Sequence, residues 1–310
     1  MSSIRAAGAT SATPETQDAP EHAGLFAETQ GGAPPRARRP LGRILGYLAL
    51  AVTTAISLFP MYWLLLTAFT PTESSIKIPP DFLPVHASLD NFSRLFRQSP
   101  DIWRWTANSL IIALSVTVFH VLFDTLSAYA FAKKQFPGRN LFFWMILSTL
   151  MIPPQVTLVP LYLAIRQLGL VNNVWAVILP GWADVFGIFL MRQFIQTLPT
   201  ELEEAARIDG ASEPGIFWRI IVPLSRPALG ALAIFTFVHS WNTFLWPLIV
   251  LQRTATMTLP VGVASLQNEF AVDYGLIFAG AAIAAVPMIL FFLVFQRQFI
   301  EGVRIGALKG

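Results

Sequence analysis

The sequence predicts an all-α membrane protein with six transmembrane helices, both termini cytoplasmic, and a cytoplasmic helical segment between spans four and five. Three observations carry this. Of the 310 residues 54% are hydrophobic and only 13% charged, where soluble domains carry about a quarter charged residues; the mean hydropathy is +0.57. Six apolar stretches, each bracketed by charged residues, reach the ~20 residues that a helix needs to cross a bilayer. Lysine and arginine are also unequally shared between the loops. With an even number of spans, 15 of the 21 fall on the side that holds both termini, and excess positive charge marks the cytoplasmic face.

Residues 1–40 are rich in Ala, Gly, Pro, Thr and Glu, without an apolar run, which describes a disordered tail. A secretory signal would need a basic start and an apolar core, and none precedes Leu41. Residues 41–310 then form one membrane domain. Span one covers Ile44 to Phe69, span two lies between Arg104 and Lys133, and span three between Arg139 and Arg166. Span four falls between Arg166 and Arg192, span five between Arg226 and Arg253, and span six between Asp273 and Arg297. Prolines 60, 153, 154, 160, 180, 247 and 287 lie inside these stretches. A bundle in lipid tolerates them because neighbouring helices re-satisfy the freed carbonyls. Trp63, Trp103, Trp105, Trp175 and Trp246 fall near the outer interface, where an aromatic belt is expected.

Between spans four and five runs ELEEAARIDGASEPGIFWRIIVPLSRP, residues 201–227. Thr200 and Glu203 have capping-box spacing, a helix of about nine residues follows, and Gly210 stops it. Ser212 can cap a second helix carrying Ile216, Phe217, Ile220 and Ile221, which Pro223 is expected to end. Ser225 and Pro227 mark the start of span five. The first helix is too short to stand alone in water. Leu202, Ala205, Ala206 and Asp209 share one side, with Glu204 beside them. Periodicity leaves two readings open: a docking face, or a surface helix with an internal Glu203–Arg207 pair.

Several chemistries are excluded. With no cysteine there is no disulfide, thiol nucleophile or cysteine metal site. No GxxxxGK[ST] loop is present for ATP and no HExxH for a metal, and His22, His86, His120 and His239 are scattered. A net charge of +3 calls for no nucleic-acid partner. No nucleophile or acid–base pair supports a membrane hydrolase. Ionisable groups inside spans are expensive and often functional. His120, Asp124, Asp184 and His239 therefore read either as a proton relay, as in an ion-driven transporter, or as inter-helix hydrogen bonds. Ser240, Trp241 and Asn242 pair an aromatic face with polar groups suited to a sugar ring, or pack the helices.

Glu204-Ala205-Ala206, three residues, Gly210, nine residues, then Ile220-x-Val222-Pro223 resembles the EAA signature of binding-protein-dependent ABC importer permeases. The family has Leu where this chain has Val222. YAFAKKQFPGRN, MIPPQVTLVPLYL, SWNTFLWPLIVL, PPDFLPVHASLDNF and the final GALKG are similar to the carbohydrate-uptake branch, which includes maltose and glycerol-3-phosphate importers. The resemblance implies a coupling helix that docks on a separate ATPase subunit. Glu204 would meet a basic group there, Ala205 and Ala206 would allow close contact, Asp209 would cap or pair locally, and Gly210 would make the turn. It also implies a second permease, two ATP-binding subunits holding ATP and Mg, an extracytoplasmic binding protein and a bacterial plasma membrane. No cofactor is expected on this chain. The substrate is expected to be a sugar, with glycerol-3-phosphate open because Arg94, Arg97 and Arg104 lie together in the first outer loop.

Overall fold

The computed structural model describes residues 40–71, 82–83, 87–269 and 273–307, with side chains described except at 40–41, 268–269 and 297–307. The expected tail, and part of the first outer loop, lie outside these residues. Contacts divide the chain into residues 1–57 and 58–310. All regular structure among the described residues is helical. The order is α1 (Pro40–Ala68), α2 (Asp90–Gln98), α3 (Ile102–Lys133), α4 (Arg139–Ser148), α5 (Pro154–Gln167), α6 (Trp175–Ile178) and α7 (Val185–Ile195). Then come α8 (Glu201–Ile208), α9 (Glu213–Leu224), α10 (Arg226–Asn242), α11 (Leu245–Val250), α12 (Leu259–Glu269) and α13 (Tyr274–Ala307).

Four helical stretches are long and apolar enough to cross a membrane: Gly42–Ala68, Ile102–Lys133, Trp175–Ile195 and Tyr274–Gln296. Two bent pairs bring the number to at most six. The part of α1 up to Ser57 carries exposed apolar groups such as Ile44, Tyr47, Leu48 and Ile56, the pattern of a helix whose solvent is lipid.

The expected spans are less regular than the apolar runs suggest. Span three is two helices, α4 and α5, meeting at 101°, because Pro153 and Pro154 remove consecutive amide donors and cannot continue the ladder. Span four is interrupted between Gly181 and Val185, and span five breaks at Thr243, after which α11 resumes.

By contrast α3 contains neither Pro nor Gly and runs unbroken for 32 residues. It packs most extensively on α10 and α7. Its N-terminal half supplies hydrogen bonds to the irregular chain that follows α11. Trp105 Nε1 donates to Thr254 O at 2.7 Å, Asn108 Nδ2 donates to Met257 O at 2.9 Å, and Ser109 Oγ accepts from Leu259 N at 2.8 Å. Trp105 is therefore buried structure rather than part of an aromatic belt, and Trp246 likewise donates to Ala176 O at 3.0 Å. Trp103 and Trp175 remain exposed. Asn91, on α2, closes the C-terminus of α1 by donating to Thr70 O at 2.7 Å and Ala68 O at 3.1 Å.

Ser109→Ala is expected to destabilise the protein by about 1–3 kcal/mol, because the buried Leu259 amide loses its acceptor. Unfolding in detergent checks this, with the exposed Ser148→Ala, expected to be near neutral, as the comparison.

Candidate functional site

The polar segment folds as an elbow. Ser212 caps α9, accepting from Gly215 N at 3.4 Å. Gly210 adopts φ 80°, a left-handed conformation that glycine takes without steric cost. The amides of Gly210 and Ala211 then bond back to Arg207 O and Ala206 O at 3.0 and 2.9 Å, closing the end of α8. Pro223 does not end the second helix, which runs to Leu224. Residues Phe217–Ile221 widen into a π turn, with Val222 N bonded to Phe217 O. This register shift accommodates a proline that would otherwise clash with the carbonyl one turn back. At Ser225 the chain bends by 79° into α10.

The expected capping box is absent. Thr200 makes no side-chain cap; its hydroxyl lies 3.2 Å from Lys133 Nζ. Glu203 is turned inward, with its side chain 2% exposed. It accepts from Tyr129 Oη at 3.1 Å and lies 3.6 Å from Lys133 Nζ and 3.4 Å from Arg207 Nη2. The Glu203–Arg207 pair is thus present, but as one edge of a larger cluster that sequence reasoning missed. Its signal was the adjacent basic pair Lys133-Lys134 at the end of span two.

The expected docking side is also divided. Ala206 is half-buried against Ile216, Phe217 and their neighbours, as is Ile220. Leu202, Glu204, Ala205 and Asp209 are exposed, together with Ile208, an apolar tip 86% exposed that periodicity did not single out.

Glu213 accepts hydrogen bonds from Lys134 and from Arg207 Nε, the latter at 3.0 Å. These two cations, Lys134 first, hold its carboxyl well below the ordinary 4.5, at about 2, and the same contact raises Arg207 further.

The second polar constellation lies inside the bundle. A cavity of about 670 Å³ is lined by His120, Asp184, Thr236, His239, Ser240 and Thr243, with Phe186, Phe235 and Trp246 in its apolar wall. Asp184 caps α7, accepting from Phe186 N at 3.0 Å and Gly187 N at 3.4 Å. Asp124 is fully buried. It accepts from Asp184 N at 2.9 Å, and its other oxygen is 3.3 Å from His120 Nδ1. Two carboxylates thus meet the positive end of α7, where helix amides and dipole favour them. Gly187 permits this approach, since a Cβ there would overlap the Asp124 carboxylate. His120 Nδ1 is also 3.4 Å from Thr236 Oγ1.

Of the residues expected on a sugar pathway, Asp184 and Ser240 line the cavity. Trp241 does not; it is 2% exposed, stacks on Phe237, and donates to Ala284 O at 3.2 Å. Asn242 is exposed and returns its amide to Val238 O on its own helix at 2.8 Å. Among the described residues no group of His, Asp and Glu could hold a metal ion.

The family described as "Binding-protein-dependent transport system inner membrane component" matches residues 121–305, and the chain belongs to this family. It is 39% identical over 278 residues to the arabinooligosaccharides transport system permease protein AraQ of Halalkalibacterium halodurans, covering 88% of this chain and all of that one. It is 34% identical over 271 residues to the sn-glycerol-3-phosphate transport system permease protein UgpE of Escherichia coli O157:H7, covering 85% of this chain and 96% of the relative. Its fold matches a solved bacterial ABC transporter for import of the acidic polysaccharide alginate. The TM-score is 0.74 at 24% identity, over 86% of this chain and 98% of that chain.

The sign of the Glu213 shift sets a pH window. A depressed carboxyl contributes fully above about 4.5, and the contribution is lost as pH falls toward about 2. Hydrogen-exchange protection over residues 200–216, corrected for intrinsic rate, is expected to be level from pH 7 to 5 and to fall below 4.5. Protection that falls already between pH 7 and 5 would contradict this.

Proposed function

We propose that this chain is one permease subunit of an ATP-driven importer that carries a carbohydrate across a bacterial plasma membrane. It spans the membrane six times with both termini cytoplasmic, and the 200–224 elbow faces the cytoplasm. It works beside a second permease, two ATPase subunits that hold ATP and Mg, and an extracytoplasmic binding protein. The chain itself binds no nucleotide.

The observation that carries this reading is the exposed face of α8, with Leu202, Glu204, Ala205, Ile208 and Asp209. An amphipathic helix that short gains stability only by packing. Its inner side is already packed, so the outer side is free for an ATPase. Ile208 and Leu202 would enter an apolar cleft, Glu204 would meet a basic group, and Ala205 would permit close approach. Asp209 would stay local to the turn that Gly210 makes. Ile220 and Pro223 shape the elbow from inside.

The cavity would form this chain's share of the translocation path. Asp184, Ser240 and the neighbouring Thr236, His239 and Thr243 offer donors and acceptors for hydroxyls, and Phe235 and Trp246 offer faces for a sugar ring. Among the described residues no Lys or Arg lines it, which favours a neutral sugar over glycerol-3-phosphate. The outer-loop arginines are engaged elsewhere: Arg94 with Asp273, Arg97 with Ser93, and Arg104 with Asp101. The bonds that join Asp124, His120 and Asp184 support the structural role over a proton relay.

Glu204→Lys is expected to leave the protein in the membrane at normal level and to abolish uptake, measured with labelled arabino-oligosaccharides in cells holding the full importer. Normal uptake by this variant would remove the coupling role. Uptake of glycerol-3-phosphate in preference to neutral oligosaccharides would overturn the substrate class.

A further inference from the structure

Glu203 and Glu204 are adjacent and opposite in fate. Glu204 is exposed, while the Glu203 side chain is 2% exposed and surrounded by groups from the end of α3 and from α8 itself. Oε2 accepts from Tyr129 Oη at 3.1 Å, with Arg207 Nη2 at 3.4 Å and Lys134 Nζ at 4.0 Å. Oε1 faces Lys133 Nζ at 3.6 Å. The same Lys133 ammonium donates to Leu198 O at 2.6 Å, so one cation holds the chain leading into α8 while pairing in charge with the carboxylate. Tyr129 also reaches Glu213 at 3.3 Å, and Lys134 lies over the Tyr129 ring at 4.5 Å. The last turn of α3 therefore grips α8 and the start of α9 together.

A buried ion pair is weak support for stability, since desolvation offsets much of the attraction, but its directionality can select one geometry. Apolar contacts alone, such as Ala206 against the cluster of Ile216 and Phe217, would hold α8 less specifically. The position of the grip on α3 suggests why geometry matters. Asp124 lies five residues before Tyr129, and His120 nine, which is about 7 and 13 Å along a helix rising 1.5 Å per residue. Asp124 carries the first amide of α7, and His120 lines the cavity. The covalent routes from the elbow to the bundle run through residues 196–200 into α7 and through the 79° bend into α10; the grip on α3 adds a third, non-covalent one.

We propose that Glu203 is a positioning residue that locks the elbow onto the C-terminal end of α3, so that a displacement of α8 moves α3 and its cavity side chains as one body. The inference rests on the importer reading for its purpose, but the lock itself can be measured apart from it. Rotation of α8 on its ATPase reaches Asp124, and through it Asp184, because the helix between is unbroken and the lock is polar and directional. With the carboxylate neutralised, α8 would slide on an apolar surface before α3 followed.

The test uses the full chain, which has no native cysteine to remove. Spin labels at Ile208→Cys and Val118→Cys, both exposed, report α8 against α3. We expect one narrow distance in the parent chain and a broadened distribution in Glu203→Gln and in Tyr129→Phe. In proteoliposomes holding the complete importer, Glu203→Gln is expected to retain its ATPase subunits. It should transport roughly 2- to 30-fold less arabino-oligosaccharide per ATP hydrolysed, with partial recovery in the exchange Glu203→Lys with Lys133→Glu. A purely structural role would lower yield or Tm and leave that ratio unchanged. Unaltered distances, or an unaltered ratio, would overturn the lock. A parent complex that moves no sugar would instead sink the importer reading, and the spin-label distances alone would then decide on the lock.

Discussion

Every break in the backbone of a membrane helix must be satisfied from within the protein, because hydrocarbon offers no hydrogen bonds. In this chain much of that demand falls on α3. Its side chains meet the irregular stretch before α12 through Trp105, Asn108 and Ser109, the start of α7 through Asp124, and the approach to α8 through Lys133. Trp105, Asn108, Ser109 and Asp124, polar groups that look misplaced in an apolar span, each meet an open amide or carbonyl on a neighbour. The unbroken length of α3 follows from its composition, and the break before α7 is tolerable because Asp124 is there to accept from Asp184 N.

That arrangement places the two candidate functional regions on one helix. The cavity takes His120 from the middle of α3 and Asp184 from the helix end that Asp124 secures. The elbow is seated on Tyr129, Lys133 and Lys134. Between the inner side of the elbow, held by charge and by Ile216, Phe217 and Ile221, and its outer side, which leaves Ile208 and Glu204 exposed, there is a division of labour. One face is packed within the chain and the other is exposed. The π turn before Pro223 lets a helix pass through a proline, so the bend falls at Ser225, where α10 begins.

Much of this was legible in the sequence. The apolar runs located the helical stretches able to cross a membrane, four to six among the described residues, the EAA spacing located the elbow, and Gly210 and Ser212 do at the turn what their chemistry suggests. What was not legible depends on residues distant in the chain. Thr200 and Glu203 satisfy the capping-box pattern, but the pattern cannot register that Lys133 and Tyr129, some 70 residues earlier, offer Glu203 stronger partners. Asp184 reads as a charge inside a span until the interruption before α7 makes it a helix cap. Trp105 and Trp241 have the composition of a belt or a sugar platform. Their indole N–H groups find carbonyls at Thr254 and Ala284 only when α12 and α13 are packed. Pro153 and Pro154 read as prolines that a bundle tolerates, and the 101° bend at them appears only in the fold.

That the outer face of α8 lies in the cytoplasm and is covered by an ATPase is the claim on which the functional reading depends. A single cysteine at the exposed Ala205, introduced into a chain that has none, can be probed with a membrane-impermeant maleimide in vesicles of both orientations. The expected result is labelling from the cytoplasmic side alone, with protection when the ATPase subunits are assembled. Labelling from the outer side, or equal labelling with and without those subunits, would contradict it.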